Sequence, residues 1–514
     1  MTDQPADPAV RSDPSNISVA PDHARDPLIL ALDVGSSSVR AIVYDALGRA
    51  LTGAGNHIPY QMDTTPDGGV EIGADRLLGI VCECIDGVLL HSKGALDRLG
   101  VVACCTFWHS LVGVGADGHP LTPVFSWNDT RSREDAAALL ERVDVDSVHS
   151  RTGTRPHASY WPAKLRWLNR TRPDAFGRVA RWMSPGEYIH FRLFGRTLCS
   201  VSMASGTGLF NPNVCAWDDG MLAESGIDSG QISPLARDDQ SLSGLTAEFA
   251  KRWPALAQVP WTPALGDGAC SNVGSGCVTR DAASLMVGTS GAMRVCWAAD
   301  RVRIPRGLWC YRANRQYALL GGALSNAGDV YAWCLNTLRL DSNDLEAELA
   351  SIAPDAHGLT VLPFFSGERS TGWMDHARAA INGMTLSTRP VEILRAALEA
   401  VTYRFGAIYE RLREEVPTIT AIVASGGGIL NSPVWAQMMA DVIGVPVVAS
   451  AVPEASSRGA ALLALDSLGF LDSLSSVPVP SGKLCEPEGS RRAAYRQGRE
   501  RQERLYDLLV ARKP

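Results

Sequence analysis

Residues 28–50 read LILALDVGSSSVRAIVYDALGRA. An apolar run ends in Asp33, a Gly-Ser-Ser-Ser turn follows, and an alternating strand carries Arg40 away from it. Gly35 lets backbone N–H groups turn toward an anion, and Ser36, Ser37 and Ser38 add hydroxyl donors without bulk. A carboxylate placed like Asp33 holds Mg²⁺ through water, and an arginine placed like Arg40 meets a phosphate. The pattern suits a nucleoside triphosphate, although a plain turn between two core strands has the same outline. A second stretch decides between them. At 284–297 the chain reads SLMVGTSGAMRVCW, where an apolar strand runs into Gly288-Thr289-Ser290-Gly291 and another leaves through Arg294. Two such hairpins far apart predict a duplicated α/β fold gripping one polyphosphate between its halves.

Composition narrows the class. A chain of 514 residues is long enough for two large domains, and 46% hydrophobic with 20% charged residues is globular. A net charge of −7 gives no reason to expect a nucleic-acid partner. The twelve cysteines show no metal-ligand spacing and read as reduced core thiols, which implies a cytoplasmic enzyme. No run is long and apolar enough for a membrane helix. The segment MTDQPADPAVRSDPSN lacks an apolar signal core and reads as a solvated arm.

Ordered structure is expected from about Asp26. Strands near 28–34, 39–45 and 48–57 form an opening meander, and a helix follows near 74–92. The strand VVACCTF leads to Trp108-His109-Ser110, and helices are expected near 131–142, 161–170 and 185–194. PALGDGACSNVGSG, residues 263–276, is rich in small residues that permit close backbone approach, which places the domain junction and cleft beside it. Beyond it come a strand pair at 308–321, a helix after Gly321-Gly322, and a long helix from Glu392 to Glu414. The arginine-rich tail after Glu486 reads as a solvated helical face.

Two further constellations carry chemistry. The strand TAIVAS ends in Gly426-Gly427-Gly428, and Asn431, Ser432 and Pro433 open a helix where caps and proline belong. Glycines at the carboxyl end of such a strand suit an adenosine, or serve only helix–strand packing. Asp267 lies between Gly266 and Gly268. A carboxylate there can take the proton of an attacking hydroxyl, although a simple Gly-Asp-Gly turn is the plainer reading.

Taken in order, these elements resemble the FGGY carbohydrate kinases, within the actin-like, ribonuclease-H-like ATPases. The likeness runs from Leu28 to Gly469. It includes the family's C-terminal pattern of Ala379, Ile381, Gly383, Met384, Glu392-Ile393 and Ala396-Ala397-Leu398-Glu399. The resemblance implies two ribonuclease-H-like domains with a cleft between them. Residues 1–26 would be a disordered arm, and 27–278 an N-terminal domain with the sugar site, first hairpin and base. Residues 279–470 would be the ATP-binding domain and 471–514 a charged tail. It implies Mg²⁺-ATP at Asp33, Gly35, Ser36, Ser37, Arg40, Gly288, Thr289, Gly427 and Asn431, with Asp33 at the metal and Asp267 the catalytic base.

Within the family the chain looks most like gluconokinases. PLTPVFSWNDTRS at 120–132, Thr152-Gly153-Thr154 with His157, EYIHFRLFG at 187–195, ASGTGLFN at 204–211 and GERSTGW at 367–373 stand in order. That likeness implies an acceptor pocket of Trp108, His109, Trp127, Asp129, His157 and Gly268. Departures fall on this pocket: Trp108 and Ser159 replace methionines, Trp161 stands three residues before Lys164, and Arg155 intrudes before Pro156. The sugar is therefore less determined than the reaction. Gluconate needs donors or positive charge, for which His109, His157, Arg155 and Lys164 are the candidates. Xylulose or ribulose is the alternative.

A reading of another class keeps the clamp but makes it an ATP-driven interaction protein. Trp108, His109, Trp127 and Asp129 argue against it, because a filament or chaperone subunit has no use for them. A P-loop enzyme is excluded by the absence of GxxxxGK[ST]. The expected partner is a small sugar or sugar acid, with no nucleic acid or membrane, and the chain is compatible with a homodimer.

Overall fold

The computed structural model describes residues 17–340 and 342–511. The run at 28–34 forms a strand buried along its whole length, as an unbroken apolar stretch does when both faces of its sheet are covered. Leu28, Leu30, Leu32 and Val34 enter one core with Leu77, Val81 and Ile85 of a helix over Ala74–His91 (α1). Ile29 and Ala31 enter another with Ala460, Ala461 and Leu465, from the far end of the chain.

The first sheet contains β1 (Ser18–Val19), β2 (Leu28–Val34), β3 (Ser38–Tyr44), β4 (Ala50–Pro59), β5 (Leu99–Thr106) and β6 (Leu265–Gly266). Its order is β1-β4-β3-β2-β5-β6. The second contains β7 (Ala282–Val287), β8 (Gly291–Ala298), β9 (Trp309–Arg312), β10 (Tyr317–Leu324), β11 (Ala421–Ser425), β12 (Val447–Ser450) and β13 (Ser481–Cys485), in the order β9-β10-β8-β7-β11-β12-β13. Each sheet repeats one plan. An antiparallel hairpin, β2–β3 or β7–β8, lies beside a parallel strand, β5 or β11. Each turn closes with a backbone bond, Gly35 to Ser38 at 2.9 Å and Gly288 to Ser290 at 3.0 Å. The duplication read from the two hairpins is present.

The two halves meet where α2 (Asp267–Gly274) crosses a helix over Ala455–Ser467 (α3). A Cβ on Gly274 would lie 1.8 Å from the Ala455 carbonyl oxygen, and one on Gly459 would lie 1.8 Å from that of Cys270. Only glycine fits at either point, which explains the small residues at 263–276. Because α3 packs on β2 and β5, a helix from the far end of the chain covers the first sheet. No described helix is long and apolar enough to cross a membrane, and all twelve cysteines are unpaired.

The structure corrects three local expectations. Residues 1–16 of the expected arm lie outside the described residues, but Ser18–Val19 pair with Ala50–Leu51, so regular structure begins before Asp26. Gly321-Gly322 lie inside β10, and the helix starts at Gly328. The glycines admit the Trp309 ring and Ile408 from opposite sides. The charged tail is not merely a solvated face. Its strand β13 pairs with β12. Its helix over Arg492–Tyr506 buries Tyr495 and Gln502 and pairs Arg499 with Glu410 and Arg501 with Asp355. The arginines follow an amphipathic pattern whose inner stripe was hidden by their charge.

Candidate active site

A cleft of about 960 Å³ opens between the sheets where both hairpins turn. Gly35, Ser36, Ser37, Gly288 and Thr289 line it, with Gly427 from the turn after β11. Asn431 stands beside Gly427 but is exposed and outside this lining. Ser432 caps the following helix through the Trp435 N–H, with Pro433 at its first position. The cleft also takes in Ser450–Ser456. The sequence reading missed this loop, whose only signal is its place after β12.

Asp33 and Arg40 face each other in the β2–β3 register. Their charged groups are 3.6 Å apart, and Arg40 also reaches Glu454 at 3.3 Å. Any anion reaching Arg40 would compete with both carboxylates. Burial first, then the charge of Asp267, pushes the Asp33 carboxyl up to about 6, while Arg40 and the Cys105 thiol oppose the shift. Burial also raises Asp267, against the pull of Arg294 and the Gly268 N–H at 2.7 Å. Asp33 and Asp267 thus line one cleft, and a carboxylate such as Asp33 offers the oxygen donor that a hard divalent cation takes.

Asp267 begins α2, and its flanking glycines are a slot rather than a turn. A Cβ on Gly266 would lie 1.9 Å from the Trp108 ring, and one on Gly268 2.8 Å from it. The indole N–H donates to the Ser202 carbonyl at 2.9 Å, so Trp108 closes the floor beneath Asp267. His109 follows with φ 64°, a left-handed backbone that costs about 1–3 kcal/mol outside glycine. Its Nδ1–H donates to the Gly206 carbonyl, which leaves Nε2 as an acceptor. Burial, then the charge of Arg369, holds its pKa well below the usual histidine range. His109 is therefore neutral and supplies no positive charge.

The other expected acceptor residues divide between the cleft and places outside it. Trp127 lines the cleft. Asp129 does not; its carboxylate holds Arg131 and accepts from the Val70 N–H at 3.1 Å. His157 also lies outside the lining, pairing with Asp375 at 2.8 Å across the two halves. Arg155 lines a separate cavity with Arg306 and Tyr506. The Lys164 ammonium donates to the Ala158 carbonyl at 3.1 Å and to that of Ser159 at 2.5 Å. Burial lowers its pKa to about 7. In their place the structure brings in Trp309 and Tyr311 of β9, Arg294 of β8, and Arg369. Arg294 and Arg369 stood within quoted motifs, but nothing local to either segment shows that they converge.

The cleft thus joins two glycine-containing hairpin turns to a carboxylate pair and an aromatic pocket. The FGGY family of carbohydrate kinases matches over both halves, its N-terminal domain at residues 28–274 and its C-terminal domain at 283–467. The chain is similar to the gluconokinase of Bacillus subtilis, 26% identical over 87% of this chain and 89% of that one. It is similar to the glycerol kinase of Alcanivorax borkumensis, 29% identical over 91% of this chain and 96% of the other. Among solved structures, ligand-bound xylulose kinase from Lactobacillus acidophilus superposes with a TM-score of 0.85 at 26% identity, covering 94% of this chain and 98% of that one. With both halves matched, the chain belongs to the FGGY family of carbohydrate kinases and is an ATP-dependent sugar kinase.

Proposed function

We propose that the protein transfers the γ-phosphate of ATP to a hydroxyl of a sugar acid, with gluconate preferred over xylulose, ribulose or glycerol. The observation that carries the chemistry is the meeting of Asp33 and Asp267 in one cleft between the two hairpin turns. The phosphates lie between Gly35–Ser37 and Gly288–Thr289, and the adenosine rests against Gly427 beside Asn431. Arg40 exchanges a carboxylate partner for a phosphate oxygen. Asp33 is the residue that would hold Mg²⁺, through water, and the ion supplies charge neutralisation to the phosphates when bound.

Asp267 accepts the proton of the acceptor hydroxyl as its oxygen bonds to the γ-phosphorus. The bond to the β-bridging oxygen breaks and ADP leaves. The raised carboxyl of Asp267 makes it a better base for that proton. His109 Nε2 accepts a second acceptor hydroxyl, and Trp108 and Trp127 exclude water around it. Asp129 and His157 act on the pocket indirectly, through Arg131 and Asp375. The unpaired cysteines support a reducing, cytoplasmic setting.

Gluconate is supported by the motif order of the acceptor half and by the gluconokinase relative. The test is a coupled ADP-release assay over gluconate, xylulose, ribulose and glycerol. Gluconate should give the highest kcat/KM. A neutral ketose or glycerol turned over far more efficiently would overturn the sugar-acid reading while leaving the kinase.

A further inference from the structure

The cleft carries two buried arginines that no salt bridge holds. Arg369 is 8% exposed, and its Nε is buried without a hydrogen-bond partner. Its guanidinium lies 5.8 Å from the Trp127 ring centroid, which holds the flat group over an aromatic face. Arg294 is buried too, with Nε and Nη1 unpartnered. Among the described residues neither has a carboxylate within the 4.0 Å ion-pair distance. Arg294 has Asp267 as a counter-charge beyond that distance, and a buried cation without an ion-pair partner is costly, so Arg369 above all is placed to take an anion from the ligands.

Their neighbours separate them. Arg294 acts on Asp267, and a Cβ on Gly268 would lie 3.3 Å from its guanidinium carbon. It therefore stands at the transfer point, where the phosphoryl group is the anion. Both arginines act on Tyr311, but Arg369 alone of the two acts on His109, Tyr160 and Lys164, on the acceptor side. The other candidates there are spent: His109 is neutral, Lys164 is held by carbonyls, and Arg155 faces another cavity. A guanidinium offers two parallel N–H donors that match a carboxylate, which suits this task better than a point charge.

We infer that Arg369 is the specificity-determining residue that reads an anionic end of the acceptor, the carboxylate of an aldonic acid. This rests on the sugar-acid reading above. The test compares D-gluconate with its neutral isostere D-gluconamide, using the full-length protein. The wild type should favour gluconate in kcat/KM by roughly 10–150-fold, the worth of one charge-assisted contact. In Arg369→Gln that ratio should collapse to near one through a higher KM for gluconate. Arg294→Gln should lower kcat for both acceptors and leave the ratio standing.

A wild-type ratio near one, with gluconate still phosphorylated, would overturn the inference without touching the sugar-acid reading. That result needs no variant to fold. Arg369→Gln lowering kcat equally for both acceptors would also overturn it, by assigning Arg369 to the phosphoryl group. If neither acceptor is phosphorylated while xylulose or glycerol is, the sugar-acid reading itself fails.

Discussion

The two ends of the cleft are built by different means. The end proposed for the nucleotide is mostly backbone: two hairpin turns and a glycine turn, each encoded within a few consecutive residues. The end proposed for the acceptor is mostly side chain, with Trp108, His109, Trp127, Trp309, Tyr311 and Arg369 arriving from separate segments. A backbone site tolerates little change in geometry and serves one ligand. A side-chain site can be re-specified one residue at a time, as expected where relatives named as gluconokinase, glycerol kinase and xylulose kinase share one fold. Asp267 sits at the junction of the two ends, on the helix that also joins the two halves.

Perturbations at and around that junction should separate the ends, beginning with the largest effect. Asp267→Asn should lower kcat by roughly 10²–10⁴-fold while calorimetry still detects ATP and acceptor binding. Near-normal kcat would remove Asp267 from the chemistry. Asp33→Asn should cost roughly 10–100-fold in the use of Mg²⁺-ATP, with the deficit partly recovered at high Mg²⁺. The acceptor KM should stay close to wild type, and a selective rise in it would blur the division between the ends.

Gly459→Ala should disturb both ends together, because its Cβ would lie 1.8 Å from the Cys270 carbonyl oxygen. Overpacking of this kind costs about 1–3 kcal/mol, read as a lower midpoint of thermal unfolding. An unchanged midpoint would mean that the helix crossing relaxes freely. The smallest effect belongs to His157→Ala. Loss of its bond to Asp375 should lower kcat/KM by roughly 2–10-fold, and equally for charged and neutral acceptors. A selective loss on gluconate would return His157 to the pocket.

The same contrast governs what the sequence made legible. Leu28–Val34, the Gly-Ser turns and the capped helix after Gly428 are local patterns, and the structure carries each of them. Gly266 and Gly268 were visible as residues but not as a slot, because the ring that fills it comes from Trp108. Arg369 was hidden for the same reason: its neighbours His109, Tyr160 and Trp127 are far away in the chain. His157 and Asp129 occupy expected positions in the motif order, yet each is engaged by a partner that motif order does not reveal. The tail misled because a helix with many arginines conceals a thin buried stripe, here Tyr495, Gly498 and Gln502.

The most direct test of Asp267 as the meeting point of the two ends is a crystal structure with gluconate and a non-hydrolysable ATP analogue bound together. The account predicts one gluconate hydroxyl within hydrogen-bond reach of the Asp267 carboxylate, about 2.6–3.2 Å, facing the γ-phosphate, with the gluconate carboxylate on Arg369. A ternary complex in which no acceptor hydroxyl approaches Asp267, or in which another side chain lies between the hydroxyl and the γ-phosphate, would contradict it.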